Sequence, residues 1–436
     1  MQPKHLAADA LATLRLILFH GVLSDEAGRL MVGLLGALAD GDRAAARARY
    51  GELFCRLADE VELGRRCPGD AWQQHLLERL LADENPFSRK CETAGLAAAG
   101  PALLEAARRD LAALRKLYAL DAARLSAALG GDLPRWDALA PLEVARPSDA
   151  ERALRARLAA SADWAALAEA LGQHYHEGGA GVLARQRAFR WVGGAAPLEV
   201  VDSPDPIRLT DLIGYEVERE LVVRNTEHFV AGHGANNVLL YGDRGTGKSS
   251  TIKALLNEYA ERGLRLIEVP KSLLADLPEI LRQLRGRRER FILFVDDLSF
   301  DDNETHYRDL KAVLEGGVEL RPSNVLLYAT SNRRHLIQER FADRGRPLDE
   351  IHASDTAEEK LSFSDRFGIA VTFSAPDQDR YLQIVSGLAA ARGLDLPPAE
   401  LRRRALEWAT WQNGRSGRTA RQFVDFLAGE LGLPGL

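Results

Sequence analysis

Residues 241–250 read YGDRGTGKSS, a stretch whose residue types suit the holding of a phosphate chain. Gly242, Gly247, Lys248 and Ser249 satisfy the spacing G-x-x-x-x-G-K-[ST], and Gly245 adds a third glycine. Glycines let successive backbone N–H groups turn toward one anion, the lysine reaches the β and γ oxygens, and the serine hydroxyl ligates Mg2+. The expected nucleotide contacts are Gly242, Asp243, Arg244, Gly245, Thr246, Gly247, Lys248, Ser249 and Ser250. FILFVDD (291–297) has the pattern of the second half of such a site. A buried parallel strand would carry Asp296 to the carboxyl edge of the sheet, where it holds the metal together with Ser249, and Asp297 would polarise the attacking water.

A phosphate loop needs a strand before it and a helix after it, and both are present as NVLLY and SSTIKALLNEYA. The helix presents its unpaired N–H groups and the positive end of its dipole to the phosphates. Around this point short apolar runs alternate with helical ones: NVLLYG, TIKALLNEYAERG, LRLIEV, LPEILRQLRG, FILFVDD, YRDLKAVLEGG, NVLLYATSN. That alternation predicts an α/β fold, a parallel sheet covered by helices on both faces, over residues 209–375. Three further helical segments predict a helical lid over 376–436. Residues 1–177 recur in apolar positions at three- and four-residue spacing, as in LLEAARRDLAALRKLYAL, and read as an all-helical region. Gly130, Gly131, Pro134, Pro141 and Pro147 suggest a break into two lobes near 130–147, and residues 178–208, opening with Gly178, Gly179 and Gly181, read as a linker.

Composition bounds the rest. A chain of 436 residues exceeds the size of one core, so more than one domain is expected. The formal net charge of −6 gives no overall basic footprint, so nucleic acid would be bound only through a local patch or a channel between subunits. Cys55, Cys67 and Cys91 form no C-x-x-C pair, which disfavours a disulfide framework or a zinc site and fits a reducing cytoplasm. No apolar run reaches the length of a membrane span, and ALATLRLILFHGVL, interrupted by Arg15 and His20, is read as a core-facing helix rather than a leader.

Several stretches taken together resemble the AAA+ ATPases, and more narrowly the bacterial family of predicted ATPases catalogued as domain of unknown function 815. They are LTDLIGYE (209–216), ANNVLLYGDRGTGKSS, FILFVDDLSF, ATSNRR, LSFSDRFG and NGRSGRTARQF, and their order spans about residues 200–436. The resemblance implies that Ile213 and Gly214 pack on adenine, that Asn332 is the sensor 1 residue orienting the lytic water, and that Arg366 is an arginine finger. It also implies that Arg418 is sensor 2, with Arg415 and Arg421 as neighbours on the same short stretch. A finger remote from its own phosphate loop serves the adjacent subunit, so the resemblance implies a homo-oligomeric ring or filament using ATP and Mg2+. The N-terminal region would recognise an unknown protein or nucleic-acid client. Most AAA+ members carry Asp-Glu where this chain has Asp296-Asp297. The shorter acid keeps open an alternative, a nucleotide-dependent assembly switch or scaffold with negligible turnover. A small-molecule kinase is a further rival, opposed by Asn332, Arg366 and the lid.

Other chemically suggestive residues take structural readings. His174 and His176 lack a third ligand, SFDDNE (299–304) reads as a solvated acidic loop, and LRGRRER (284–290) reads as a helix end and turn. Trp408 and Trp411 read as core anchors of the lid.

Overall fold

The computed structural model describes residues 3–62, 69–139, 148–194, 196–298, 310, 314, 321–332 and 366–432. It divides into two compact units, Met1–Arg185 and Gln186–Leu436.

The first unit is helical: α1 (Pro3–Thr13), α2 (Glu26–Asp40), α3 (Arg43–Glu62), α4 (Ala71–Ala82), α5 (Pro86–Ala94), α6 (Leu96–Tyr118), α7 (Ala122–Ala128), α8 (Asp149–Ala160), α9 (Ala168–Gly178) and α10 (Gly181–Arg185). Side-chain caps start several of them, with Asp70 and Asn85 forming capping boxes at α4 and α5. The expected division near 130–147 does not separate two lobes. Leu154, Leu158, Trp164, Leu171 and Tyr175 belong to the same buried cluster as Leu34, Trp72 and Leu114. Trp136 stacks on Tyr50 at 4.6 Å and donates its indole N–H to Asp70 at 3.1 Å, which ties residues beyond Gly130 and Gly131 to that core. Nor does the apolar stretch ALATLRLILFHGVL run as one helix. It leaves α1 after Thr13 because the buried Asp110 carboxylate accepts the backbone N–H groups of Ile17, Leu18 and Phe19 at 2.8, 2.7 and 3.0 Å, offering them a partner that a helix would compete for.

The second unit is a seven-stranded sheet in the order β2-β1-β4-β5-β6-β3-β7. Its strands are β1 (Ala188–Trp191), β2 (Leu198–Val200), β3 (Val238–Gly242), β4 (Leu264–Glu268), β5 (Arg290–Val295), β6 (Val325–Ser331) and β7 (Ile369–Phe373). All neighbours are parallel except β1 and β2. Between the strands lie α11 (Glu216–Val230), α12 (Lys248–Tyr259) and α13 (Leu277–Leu284); of the expected helix YRDLKAVLEGG only Leu310 and Leu314 are described. The lid is α14 (Gln378–Ala391), α15 (Pro398–Trp411) and α16 (Gly417–Glu430).

Two expectations need correction here. Residues 178–208 are not merely a linker: α10 closes the first unit, and β1 pairs with β4 from Ala188↔Leu266 to Arg190↔Glu268. Ala188, Phe189 and Trp191 are buried, so the apolar content of RAFRWV is spent on extending the sheet. In the lid, Trp408 packs against Phe423 and Phe426, but Trp411 is 82% exposed. Trp411 is the last residue of α15, beyond Ala405 and Ala409, the residues that the helix buries.

Candidate nucleotide site

β3 ends at Gly242, where the glycine loop begins. Gly242 has φ 130°, and a Cβ there would lie 2.1 Å from the Phe373 carbonyl oxygen, so only glycine lets β3 close against the end of β7. Gly247, at φ 94°, caps α12, whose first turn leaves backbone N–H groups without intrahelical partners. Thr246 is buried and donates its hydroxyl to the Asp243 carbonyl at 2.8 Å, bracing the loop from within.

A connected set of hydrogen bonds follows from this placement. Lys248 is 6% exposed, and its Nζ donates to the carbonyls of Gly242 at 2.9 Å and Asp243 at 2.7 Å and to Asn332 Oδ1 at 3.2 Å. Burial holds its pKa below the usual lysine value, against the opposing pull of Asp243, Asp297 and Asp296. Asn332 Nδ2 donates to Asp297 Oδ1 at 2.6 Å. Asp296 Oδ1 accepts from the Ser249 hydroxyl at 2.6 Å and the Thr330 hydroxyl at 2.5 Å. Asp297 sits at φ 51°, a left-handed conformation for a non-glycine residue, and its N–H donates to Thr330 Oγ1 at 2.9 Å. The end of β3, the end of β5 and the end of β6 thus deliver Lys248, Ser249, Asp296, Asp297 and Asn332 to one place at the carboxyl edge of a parallel sheet, where ligands of open α/β sheets bind.

These residues border a cleft of about 720 Å3. Arg244, Gly245, Thr246, Gly247 and Ser250 line it beside the five just named, while Leu212, Ile213, Ile384 and Leu388 form an apolar part of its wall. Gly242, Asp243 and Gly214 act from behind the surface. Asp243 accepts the Ala375 N–H at 2.6 Å and donates its own N–H to Phe373, fixing the turn from β7 into the lid. Gly214, at φ 76°, is held by buried Arg219, which donates to the carbonyls of Gly214 and Leu212. Burial lowers the Arg219 pKa; it is a brace for the loop that carries Ile213.

The lid arginines separate. Arg418 and Arg421 both line the cleft, and the Arg418 N–H donates to the Gly245 carbonyl at 3.1 Å. Arg415 does not line it and donates instead to Gln378 Oε1 at 3.3 Å. Arg366 lies apart. β3 and β7 pair from Val238↔Ile369 to Gly242↔Phe373, so Arg366, three residues before Ile369, stands at the amino edge of the sheet, more than about 13 Å along the strands from its own loop.

Thr330 escaped the sequence reading although a signal was present. It lies two residues before Asn332 near the end of a wholly buried strand, so strand periodicity points both toward the same face of the sheet. His174 and His176 do not converge: His176 Nδ1 contacts the Cys91 carbonyl, and half-buried His174 has its pKa lowered by desolvation. The acidic loop Asp301, Asp302 and Glu304 lies outside the described residues.

A family model described as Protein of unknown function (DUF815) matches residues 184–431, more than half of the chain. The chain belongs to this family. Among solved structures, this DUF815 chain is similar to the RuvB Holliday junction branch migration motor of Thermotoga maritima, at 16% identity over 52% of this chain and 67% of that one, with a TM-score of 0.37. It is also similar to AMPPCP-bound DnaA from Aquifex aeolicus, at 20% identity over 53% and 69% of the two chains, with a TM-score of 0.37. No curated protein matches. The DUF815 region has an α/β fold, with a parallel core sheet and three C-terminal helices. No described helix is long and apolar enough to cross a membrane.

Proposed function

We propose that this DUF815 protein binds ATP with Mg2+ and hydrolyses it as one subunit of a ring or filament, using the cycle to move a client recognised by its N-terminal unit. The observation that carries the reading is the hydrogen-bonded chain Lys248–Asn332–Asp297–Thr330–Asp296–Ser249, which joins the phosphate loop to two strand-end acids and a polar sensor. The Ser249 hydroxyl and Asp296 carboxylate are hard oxygen donors side by side, a set that fits Mg2+. When bound, the metal neutralises charge on the β- and γ-phosphate oxygens. The residues of this chain do the remainder. Loop N–H groups and the α12 N-terminus cradle the phosphates, and Lys248 turns its ammonium from loop carbonyls to phosphate oxygens. Leu212, Ile213, Ile384 and Leu388 exclude water around the base. Asp297 orients the attacking water, Asn332 aligns it, and Arg418, with Arg421 beside it, carries the nucleotide state into the lid. Arg366 supplies charge stabilisation to the next subunit's γ-phosphate.

One observation favours a second reading. The Asp297 carboxylate is engaged by Asn332 at 2.6 Å and is one methylene shorter than glutamate, so water activation would be slow and the protein a nucleotide-dependent assembly switch. ATP hydrolysis against protein concentration, with mass followed by light scattering, separates the two. Specific activity that climbs with assembly, is lost in Arg366→Ala, and partly returns on mixing that variant with Lys248→Ala supports the shared-site ATPase. Assembly on ATP with no phosphate release supports the switch.

A further inference from the structure

Gly387 lies well inside α14 (Gln378–Ala391), where glycine is among the poorest helix formers. Its surroundings supply a reason for it. A Cβ at this position would lie 2.5 Å from Ile213 Cδ1 and 3.2 Å from both Cγ1 and Cγ2 of the same side chain. Ile213 reaches α14 this closely because position 387 carries no side chain.

The contact joins the two halves of the apolar wall. Leu212 and Ile213 come from the loop ahead of α11, and Ile384 and Leu388 come from α14. Positions 384, 387 and 388 share one face of the helix, so Gly387 stands beside the two side chains that α14 gives to the cleft and does not itself line it. The loop has little room to retreat from a larger residue. Arg219 holds the Gly214 and Leu212 carbonyls. A Cβ on Gly214 would lie 3.3 Å from Ile384 Cγ1, so the backbone there is already against the helix. One residue on, the Arg380 guanidinium of α14 lies 4.7 Å from the centre of the Tyr215 ring and donates to Glu218 of α11 at 3.1 Å. Ile213 is β-branched and stiff at χ1. The space left to it is the cleft that it lines.

We propose that Gly387 sets the width of the slot that receives the base of the nucleotide, as a positioning residue that acts through Ile213 without touching the ligand. The inference rests on the nucleotide reading of the cleft and deepens it. Recognition of the base is set where the loop meets α14, and recognition of the phosphates is set separately by the glycine loop and the start of α12. A methyl group at position 387 overpacks the contact, and a close-packed junction passes that displacement on to the slot instead of absorbing it.

The test is calorimetric titration of the full chain, with Mg2+, against the ATP analogue AMPPCP and separately against tripolyphosphate. Gly387→Ala should bind AMPPCP about tenfold or more weakly than the native chain and tripolyphosphate equally well, which also certifies its fold. Ile213→Val removes the Cδ1 atom that the new methyl meets, so the same Gly387→Ala change made on that background should cost less than about threefold. Unchanged AMPPCP binding by Gly387→Ala, equal losses for AMPPCP and tripolyphosphate, or a loss as large on the Ile213→Val background overturns the proposal. Those results leave the nucleotide reading standing, because the native chain still binds AMPPCP. A native chain that binds neither compound overturns that reading, and this inference with it.

Discussion

The two units bury polar groups to opposite ends. In the helical unit each buried charge is consumed locally: Asp110 holds three successive N–H groups, and Asp70 accepts from Gln73, Ala122 and the Trp136 indole at 2.9, 2.6 and 3.1 Å. Asp25, Glu60 and His75 even gather in a space of metal-site size. Yet His75 already faces Glu60 Oε2 at 2.7 Å and Asp25 Oδ2 at 3.2 Å, and Arg79 and Arg56 stand 3.4 and 3.2 Å from those same two acids, so the cluster is a closed charge network. In the sheet unit, by contrast, Lys248 leans on Asn332 and Thr330 on Asp296 around a cleft open to solvent. Burial of charge does not mark chemistry; convergence of charge on an accessible cavity does.

That contrast predicts a crossed pattern of damage. The largest effect should come from Arg366→Ala, with hydrolysis reduced by about a thousandfold and thermal stability unchanged, checked by phosphate release and a melting curve on the same sample. Asp110→Ala should do the reverse. Leaving the buried N–H groups of Leu18 and Phe19 and the half-buried one of Ile17 without an acceptor costs on the order of 3 kcal/mol in chemical denaturation of the helical unit, while ATP analogue binding persists.

His75 sharpens the comparison through pH. Burial by itself would depress the imidazole, but hydrogen bonds and charge from Asp25 and Glu60 outweigh it and hold the pKa at about 9, above the ordinary 6.5. A raised folded-state pKa contributes stability in full below about pH 6.5 and loses it as pH rises through about 9, so that span should cost the native helical unit on the order of 3 kcal/mol. His75→Gln should flatten the curve; an unchanged pH profile would remove the imidazolium from the network. Thr330→Val should slow hydrolysis by about tenfold and raise the Mg2+ requirement, through release of Asp296 and Asp297, while Thr330→Ser restores both. Smallest of all, Trp411→Ser should leave stability within about 0.5 kcal/mol, since the ring covers no core.

Much of the sheet unit was legible because its local signals agree. Apolar strand, glycine loop and helix follow one another within NVLLYGDRGTGKSSTIKALLNEYA, and each element reads correctly alone. RAFRWV was harder: four residues of strand, paired at the sheet's far end, carry too little pattern to be told from a linker. The helical unit yielded its class but not its unity. Whether Trp136 and Trp164 share a core with Trp72 depends on contacts between residues far apart in sequence, which no periodicity encodes.

The sequence by itself determined the helical and α/β characters of the two regions, the glycine loop between strand and helix, and the strand-end acids, because each of these is written in contiguous residues whose spacing matches a backbone period. Tertiary structure alone decided that Asp110 breaks the first apolar stretch, that Thr330 bridges the two acids, that Arg418 and Arg421 rather than Arg415 face the cleft, and that Gly387 lies against Ile213. Each of those depends on which strand lies beside which and which face a helix turns inward, and such distances are set by packing of the whole sheet and its lid.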